Sequence, residues 1–304
     1  MRIRQIIPAT GIAAIAALTL AACTSGGGDP LSGGDSATAD GAIVVGSADF
    51  PESQLLATIY AQALDAAGLE TSTQLNIGSR EVYLPALLDG SITLLPEYTG
   101  ATLSYLTEGS SDVTGPEEVA AALEEALPDG ISMLTPSAAE NRDVLAVTQE
   151  TAEEYDLTTI EDLVPHASEL VLGGPPEWET RREGVVGLKD VYGIEFKEFR
   201  SLDVGGPLTI AALQNGQVQA ADMYSTLPAM ADFVALEDNL GLFPSQNIVP
   251  IGATEALSDE ASEVLDAISA ALTTDDLIAM NARLDAEDSI DDVAADWLAD
   301  NDLD

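Results

Sequence analysis

Two tyrosines, each followed by a hydroxyl residue, are the side chains whose placement most directly suggests chemistry. Tyr98-Thr99 closes the stretch ALLDGSITLLPEYT at 86–99, and Tyr224-Ser225 closes ALQNGQVQAADMYS at 212–225. The stretches align without a gap, matching Ala86 with Ala212, Leu87 with Leu213, Gly90 with Gly216 and Ile92 with Val218. Upstream, Leu75-Asn76-Ile77-Gly78 echoes Leu202-Asp203-Val204-Gly205, and Pro51-Glu52 echoes Pro176-Glu177, in the same order and at nearly one offset. Each unit reads as helix, glycine turn and strand, so both tyrosines fall at the carboxyl ends of equivalent strands. Those ends are where open α/β sheets bind ligands. Two similar lobes facing each other across a cleft would set Tyr98 and Tyr224 on opposite walls, placed to hold a ligand.

Residues suited to catalysis are scarce. His166 is the single histidine, and Leu163-Val164-Pro165-His166-Ala167 reads as a loop or surface site. Cys23 is the single cysteine. A Cys–His nucleophile, a disulfide and a His/Cys metal cluster therefore have no partners to draw on. Carboxylates could pair for glycoside hydrolysis, but with 53 Asp+Glu in the chain any pairing is uninformative. We expect a non-enzyme without cofactor or metal. A purely structural envelope role does not call for two matched strand-end tyrosines.

The elements that must position these residues alternate between strand and helix. Ala42 to Val45 is expected as a buried strand. Pro51 to Ala67 follows as a helix, with Leu55, Leu56, Ile59, Ala63 and Leu64 at helical spacing, proline at its start and Gly68 at its stop. Further strand-like runs lie near 131–134, 144–147, 170–172 and 218–221, with helical segments between many of them. The tail from Ser258 to Leu303 reads as helical, with breaks near Thr273 and Asp288. This alternation predicts an α/β architecture.

The amino end reads as processing signal rather than fold. Arg2 and Arg4 precede an apolar run from Ile6 to Ala22 that is short for a membrane span. It ends in Leu20-Ala21-Ala22-Cys23, the pattern of a lipobox whose cysteine is acylated, which gives residues 1–22 as a signal peptide. Residues 23–41 are rich in Gly, Ser, Asp, Thr and Ala, a composition expected of a flexible tether that leaves the body anchored to, not spanning, the membrane.

The chain as a whole combines 46% apolar residues with 10 Lys+Arg against 53 Asp+Glu, and two of its basic residues, Arg2 and Arg4, lie in the signal. So negative a surface repels nucleic acid and anionic headgroups, excluding those partners. Lys189 and Lys197 are the two lysines. A carboxylate-coated surface suits high external salt, which screens self-repulsion; an acid-rich genome composition would give the same pattern.

These residues lie in segments that resemble the glycine betaine/choline/carnitine family of substrate-binding proteins, which serve osmoprotectant ABC importers. The carrying segments are Gly46-Ser47-Ala48-Asp49-Phe50-Pro51-Glu52 and Leu95-Pro96-Glu97-Tyr98-Thr99-Gly100-Ala101. Leu172-Gly173-Gly174-Pro175-Pro176-Glu177, Gly205-Gly206-Pro207-Leu208-Thr209-Ile210-Ala211-Ala212-Leu213 and Gly241-Leu242-Phe243-Pro244 complete them. The resemblance implies a two-lobed periplasmic-binding-protein clamshell of type II, its lobes joined by crossover strands. Lobe 1 would take 42–142 plus 247–304, and lobe 2 would take 143–246.

The resemblance also implies a ligand and its contacts. A trimethylammonium has no N–H to donate, so aromatic faces attract it at about 0.5–2 kcal/mol per contact. Tyr98 and Tyr224 fall where the family places cage rings. Arg181 falls where an arginine grips the ligand's carboxylate, while Arg182 beside it reads as a solvated arginine. Ser47, Thr99, Arg142, Ser225 and Gln246 complete the candidate ligand-binding set. Four departures weaken a betaine assignment: Ala48, Ala101, and Val144 and Gln246 where further cage tyrosines often stand.

The implied function is capture of a quaternary-ammonium compatible solute outside the cytoplasm. The chain would be a monomer held by lipid on Cys23 at the outer face of the membrane, handing its solute to an ABC permease and its ATPase. The residues are equally consistent with a different small solute, such as a histidine-derived betaine, or with solute sensing without transport.

Overall fold

The computed structural model describes residues 42–304; the signal, Cys23 and the tether lie outside the described residues. The first half of the chain runs β1 (Ile43–Gly46), α1 (Pro51–Ala66), β2 (Thr71–Gln74), α2 (Arg80–Leu88) and β3 (Leu94–Tyr98). It continues through α3 (Thr99–Leu106), α4 (Pro116–Ala126) and β4 (Ile131–Met133). A second run follows: β5 (Asp143–Thr148), α5 (Gln149–Tyr155), β6 (Val171–Gly174), α6 (Val185–Tyr192), β7 (Glu198–Ser201), α7 (Pro207–Gln214), β8 (Ala220–Tyr224) and β9 (Phe233–Ala235). The chain ends with β10 (Ile248–Ala253), α8 (Asp259–Ala271), α9 (Thr274–Asp285) and α10 (Ile290–Asp300).

Two five-stranded sheets result, ordered β2-β1-β3-β10-β4 and β7-β6-β8-β5-β9. They match position by position. β1 lies parallel to β2 and β3, as β6 lies parallel to β7 and β8. Each sheet then takes one antiparallel strand, β10 against β3 with Ile248 opposite Tyr98, and β5 against β8 with Asp143 opposite Tyr224. The sequence echo thus corresponds to equivalent units, α2–β3 and α7–β8. Gly90 and Gly216 sit at the same turn with φ of +79° and +66°, a left-handed conformation that favours glycine.

Local chemistry explains the elements. β1 is buried on both faces and reads as an unbroken apolar run, as central parallel strands do. In α1, Pro51 sits in the first turn, Leu55, Leu56, Ile59 and Leu64 are wholly buried, and Gly68 follows the C-terminus at φ +87°. Breaks in the C-terminal tail coincide with caps: Thr273 and Asp276 form a capping box for α9, and the Ser289 hydroxyl caps α10.

Each sheet is packed on both faces by its own apolar clusters. Leu55, Ile59, Leu265, Leu277 and Trp297 pack on one face of the first sheet, and Tyr83, Leu87, Val119 and Val249 on the other. Leu145, Leu172, Trp178 and Leu188 pack in one cluster of the second sheet, and Ala212, Val218 and Met223 in another. Two connections join the lobes, residues 134–142 between β4 and β5 and residues 236–247 between β9 and β10. They run side by side through an antiparallel bridge of Glu140 with Asn247, and the Asn141 amide donates to the Gln246 carbonyl at 3.1 Å. Separate cores linked by two adjacent chain segments form the geometry of hinge closure.

Candidate functional site

A cavity opens between the lobes, built from the carboxyl ends of the parallel strands. The turn after β1 delivers Ala48, Asp49 and Phe50, β3 delivers Tyr98, the first turn of α3 delivers Ala101, and β8 delivers Tyr224. The start of α2 adds its N-cap Ser79 and its first residue, Arg80. The cavity encloses about 540 Å³ counted out to its open mouth, within the range of small-molecule sites. A wider groove shares Phe50, Glu177, Val204 and Tyr224 with it and continues past Pro207 and Leu227.

Three rings converge there from both lobes. Phe50 lies 6.2 Å from Tyr224 with the rings 10° from parallel, and 6.0 Å from Tyr98 at 35°. Tyr98 is held by its hydroxyl, which donates to Glu52 Oε1 at 2.8 Å. Glu52 is itself buried and also accepts from Asn141 at 2.8 Å, from Thr226 at 2.6 Å and from Asn281 at 2.6 Å. Tyr98 is therefore fixed before any ligand arrives.

The charge of the lining is mostly negative. Asp49, Asp143, Glu177 and Glu183 line the cavity beside Arg80 and Arg181. Arg80 is buried and forked onto Glu97 at 3.1 and 2.9 Å. Arg181 is forked onto Glu81, with Nε to Oε1 at 3.1 Å and Nη2 to Oε2 at 3.0 Å. Burial alone would raise the Glu81 carboxyl, but hydrogen bonds from Arg181 and Ser79 overcome it and hold the group at about 2. Asp143 is pushed up to about 6 by burial and then by Glu183, with Arg181 and Arg80 pulling the other way. Behind it Asp222, wholly buried with neither carboxylate oxygen hydrogen-bonded among the described residues, is raised by burial and by Asp143.

Of the residues expected from sequence, Tyr98, Tyr224, Arg181 and Gln246 line the cavity. Gln246 is buried, accepting from the Ala101 amide at 2.9 Å and donating to Asp143 at 3.2 Å. The other four do not line it. The Ser47 hydroxyl donates to the Ala48 carbonyl and accepts from the Asn76 amide, fixing the turn after β1. Thr99 Oγ1 donates to the Ser245 carbonyl and accepts from the Asn247 amide, tying α3 to the hinge. Ser225 Oγ accepts from the Arg142 amide, and the Arg142 side chain, half exposed, pairs with Glu140 at 2.9 Å. Short hydroxyls next to a strand end were consumed by backbone groups that the turn leaves open.

Two expectations about arginine change. Arg181 meets a protein carboxylate across the cleft, so its fork is already engaged. Arg182 is not a solvated arginine: it is 27% exposed, lines a second cavity with Asp112, Thr114 and Glu183, and its Nη1 is buried without a hydrogen-bond partner among the described residues. Sequence reasoning passed over Phe50, Tyr83, Arg80, Glu81, Asp143, Glu177 and Glu183. Of these, Glu177 carried a signal, since it belongs to the Pro-Glu echo after a strand.

Comparison with known proteins agrees with this geometry. Residues 41–300 match the family described as the substrate-binding domain of ABC-type glycine betaine transport systems. A glycine-betaine-binding protein of Pseudomonas aeruginosa is 28% identical over 85% of this chain and 88% of its own. A carnitine transport binding protein of Listeria monocytogenes is 27% identical over 81% of this chain and 82% of its own. A solved glycine betaine/carnitine/choline ABC transporter structure superposes with a TM-score of 0.68 at 23% identity, covering 86% of this chain and 99% of that one. A lactococcal structure in its closed-liganded conformation with glycine betaine gives a TM-score of 0.62 at 16% identity, covering 86% and 96%. The two-lobed α/β clamshell is thus shared, and the chain belongs to the family of substrate-binding domains of ABC-type glycine betaine transport systems.

Proposed function

We propose that the protein captures a small quaternary-ammonium solute between its lobes outside the cytoplasm and delivers it to an ABC permease powered by its ATPase. The observation that carries this is the meeting of Phe50 and Tyr98 from one lobe with Tyr224 from the other, in a cavity whose lining holds more carboxylates than guanidinium groups. Ring faces attract a cation that cannot donate a hydrogen bond, and the surrounding carboxylates add a favourable field. In this reading the lobes divide at 142/143 and 246/247. The body is a monomer held to the membrane by lipid on Cys23, with residues 24–41 as tether. The chemistry is binding alone.

The test is titration calorimetry with choline, glycine betaine, carnitine and ergothioneine against the wild type, Tyr98→Ala and Tyr224→Ala. Removing one ring should cost roughly 5- to 30-fold in affinity, about 1–2 kcal/mol. Two tyrosine variants that bind as tightly as the wild type would overturn the cage.

A further inference from the structure

Both guanidinium groups that line the cavity are already committed to protein carboxylates, each through two N–H groups. The Arg80–Glu97 pair is buried within one lobe. The Arg181 pair differs, because its partner comes from across the cleft: Glu81 stands in the first turn of α2, while Arg181 lies between β6 and α6. A second acid, Glu177, lies 3.9 Å from the same guanidinium. The remaining charged lining, Asp49, Asp143 and Glu183, is acidic.

A solute bearing its own carboxylate would therefore have to take Arg181 from Glu81, and would meet four acids while doing so. A cation without a carboxylate meets only the rings and the acids. We propose that Glu81 is a specificity-determining residue: by filling the fork of Arg181 from the opposite lobe, it selects quaternary-ammonium solutes lacking a carboxylate over zwitterionic ones. This rests on the quaternary-ammonium reading above. Specificity here is the difference between two affinities, and the intramolecular carboxylate lowers that of the competitor. The fork also bridges the two lobes, so a solute that leaves it intact keeps the bridge as the cleft closes around it.

Choline and glycine betaine are suitable probes, sharing the trimethylammonium head and differing in the carboxylate. Calorimetric titration of the wild-type chain should show choline bound at least tenfold more tightly. Glu81→Gln keeps the shape and removes the charge; it should shrink that ratio at least tenfold, chiefly by tightening glycine betaine. Glu81→Ala should move the ratio the same way, and melting curves without ligand confirm that both variants are folded. Glycine betaine bound as tightly as choline by the wild type, or a ratio unchanged in both variants, overturns the role of Glu81 while leaving the cation receptor standing. Failure of the wild type to bind either probe removes the receptor reading and this inference together.

Discussion

At the scale of single residues, Asp143 couples the site to pH. It faces Asp222 on β8, Glu183, Glu177, Arg181 and Arg80, and accepts a hydrogen bond from Gln246. Its carboxyl, ordinarily near 3.8, is pushed up to about 6 in the folded protein. A raised acid binds more protons folded than unfolded, so its contribution to stability is complete below about 4 and lost as pH rises through about 6. A cationic ligand prefers the ionised form. Affinity for choline should therefore rise on the order of tenfold between pH 5 and 7, while the melting temperature without ligand drifts down. Asp143→Asn should flatten both profiles. An affinity constant across that range would exclude Asp143 from the site's electrostatics.

What the sequence disclosed about this site also belongs to residues. Tyr98 and Tyr224 were legible because a duplicated pattern placed both at strand ends. Phe50 was not, because a lone aromatic before Pro51 has no period to betray it. Ser47, Thr99 and Ser225 misled because a hydroxyl beside a strand end serves an open backbone group as readily as a ligand. Glu81 was unreadable: on a helix surface in a chain with 53 acids, nothing local shows that an arginine from the other lobe reaches it.

At the scale of elements, the N-terminal turn of α1 organises the cleft. Glu52 sits there, where the helix dipole favours an anion, and gathers donors from β3, the hinge segment, the turn after β8 and α9. One of them, Thr226, lies in the turn after β8 of the second sheet. Hydrogen bonds to a buried charge are worth about 1.5–3 kcal/mol each. Glu52→Gln replaces one acceptor oxygen with a donor, so at least one neighbour loses its partner. We expect a loss of about 1–3 kcal/mol in stability, or roughly 2–4 °C in Tm per kcal/mol for a chain of this size. Ligand affinity should fall as well, since Tyr98 is no longer held. A variant as stable as the wild type would mean that the cluster is not cooperative. Strands and helices were otherwise largely visible in sequence, because β1, α1 and the capped C-terminal helices follow clear periodicity and capping. The assignment of β10 to the first sheet was not visible locally, and came from the two-lobed resemblance.

For the whole molecule the governing quantity is charge, with a formal net of −43. Self-repulsion on that scale destabilises the compact state and is screened when the Debye length shrinks to about 3 Å at 1 M salt. The melting temperature should climb steeply as sodium chloride rises from low to molar concentration. A flat response would instead assign the acidity to genome composition. Among the described residues, no helix is long and apolar enough to cross a membrane.

The placement of β10 also dictates an order of assembly. It lies between β3 and β4, yet it is the last strand in the chain. The second sheet draws all five strands from one continuous stretch, so its pairings close over modest sequence distances. The first sheet is left open until residues 248–253 arrive, and its helical cover of α8, α9 and α10 comes later still. Loop closure over such distances is slow. A chain that emerges from its amino end thus has every strand of the second sheet available while β3 and β4 still lack the β10 that pairs with both. Until residues 248–253 arrive, those open edges are places where a foreign strand could pair.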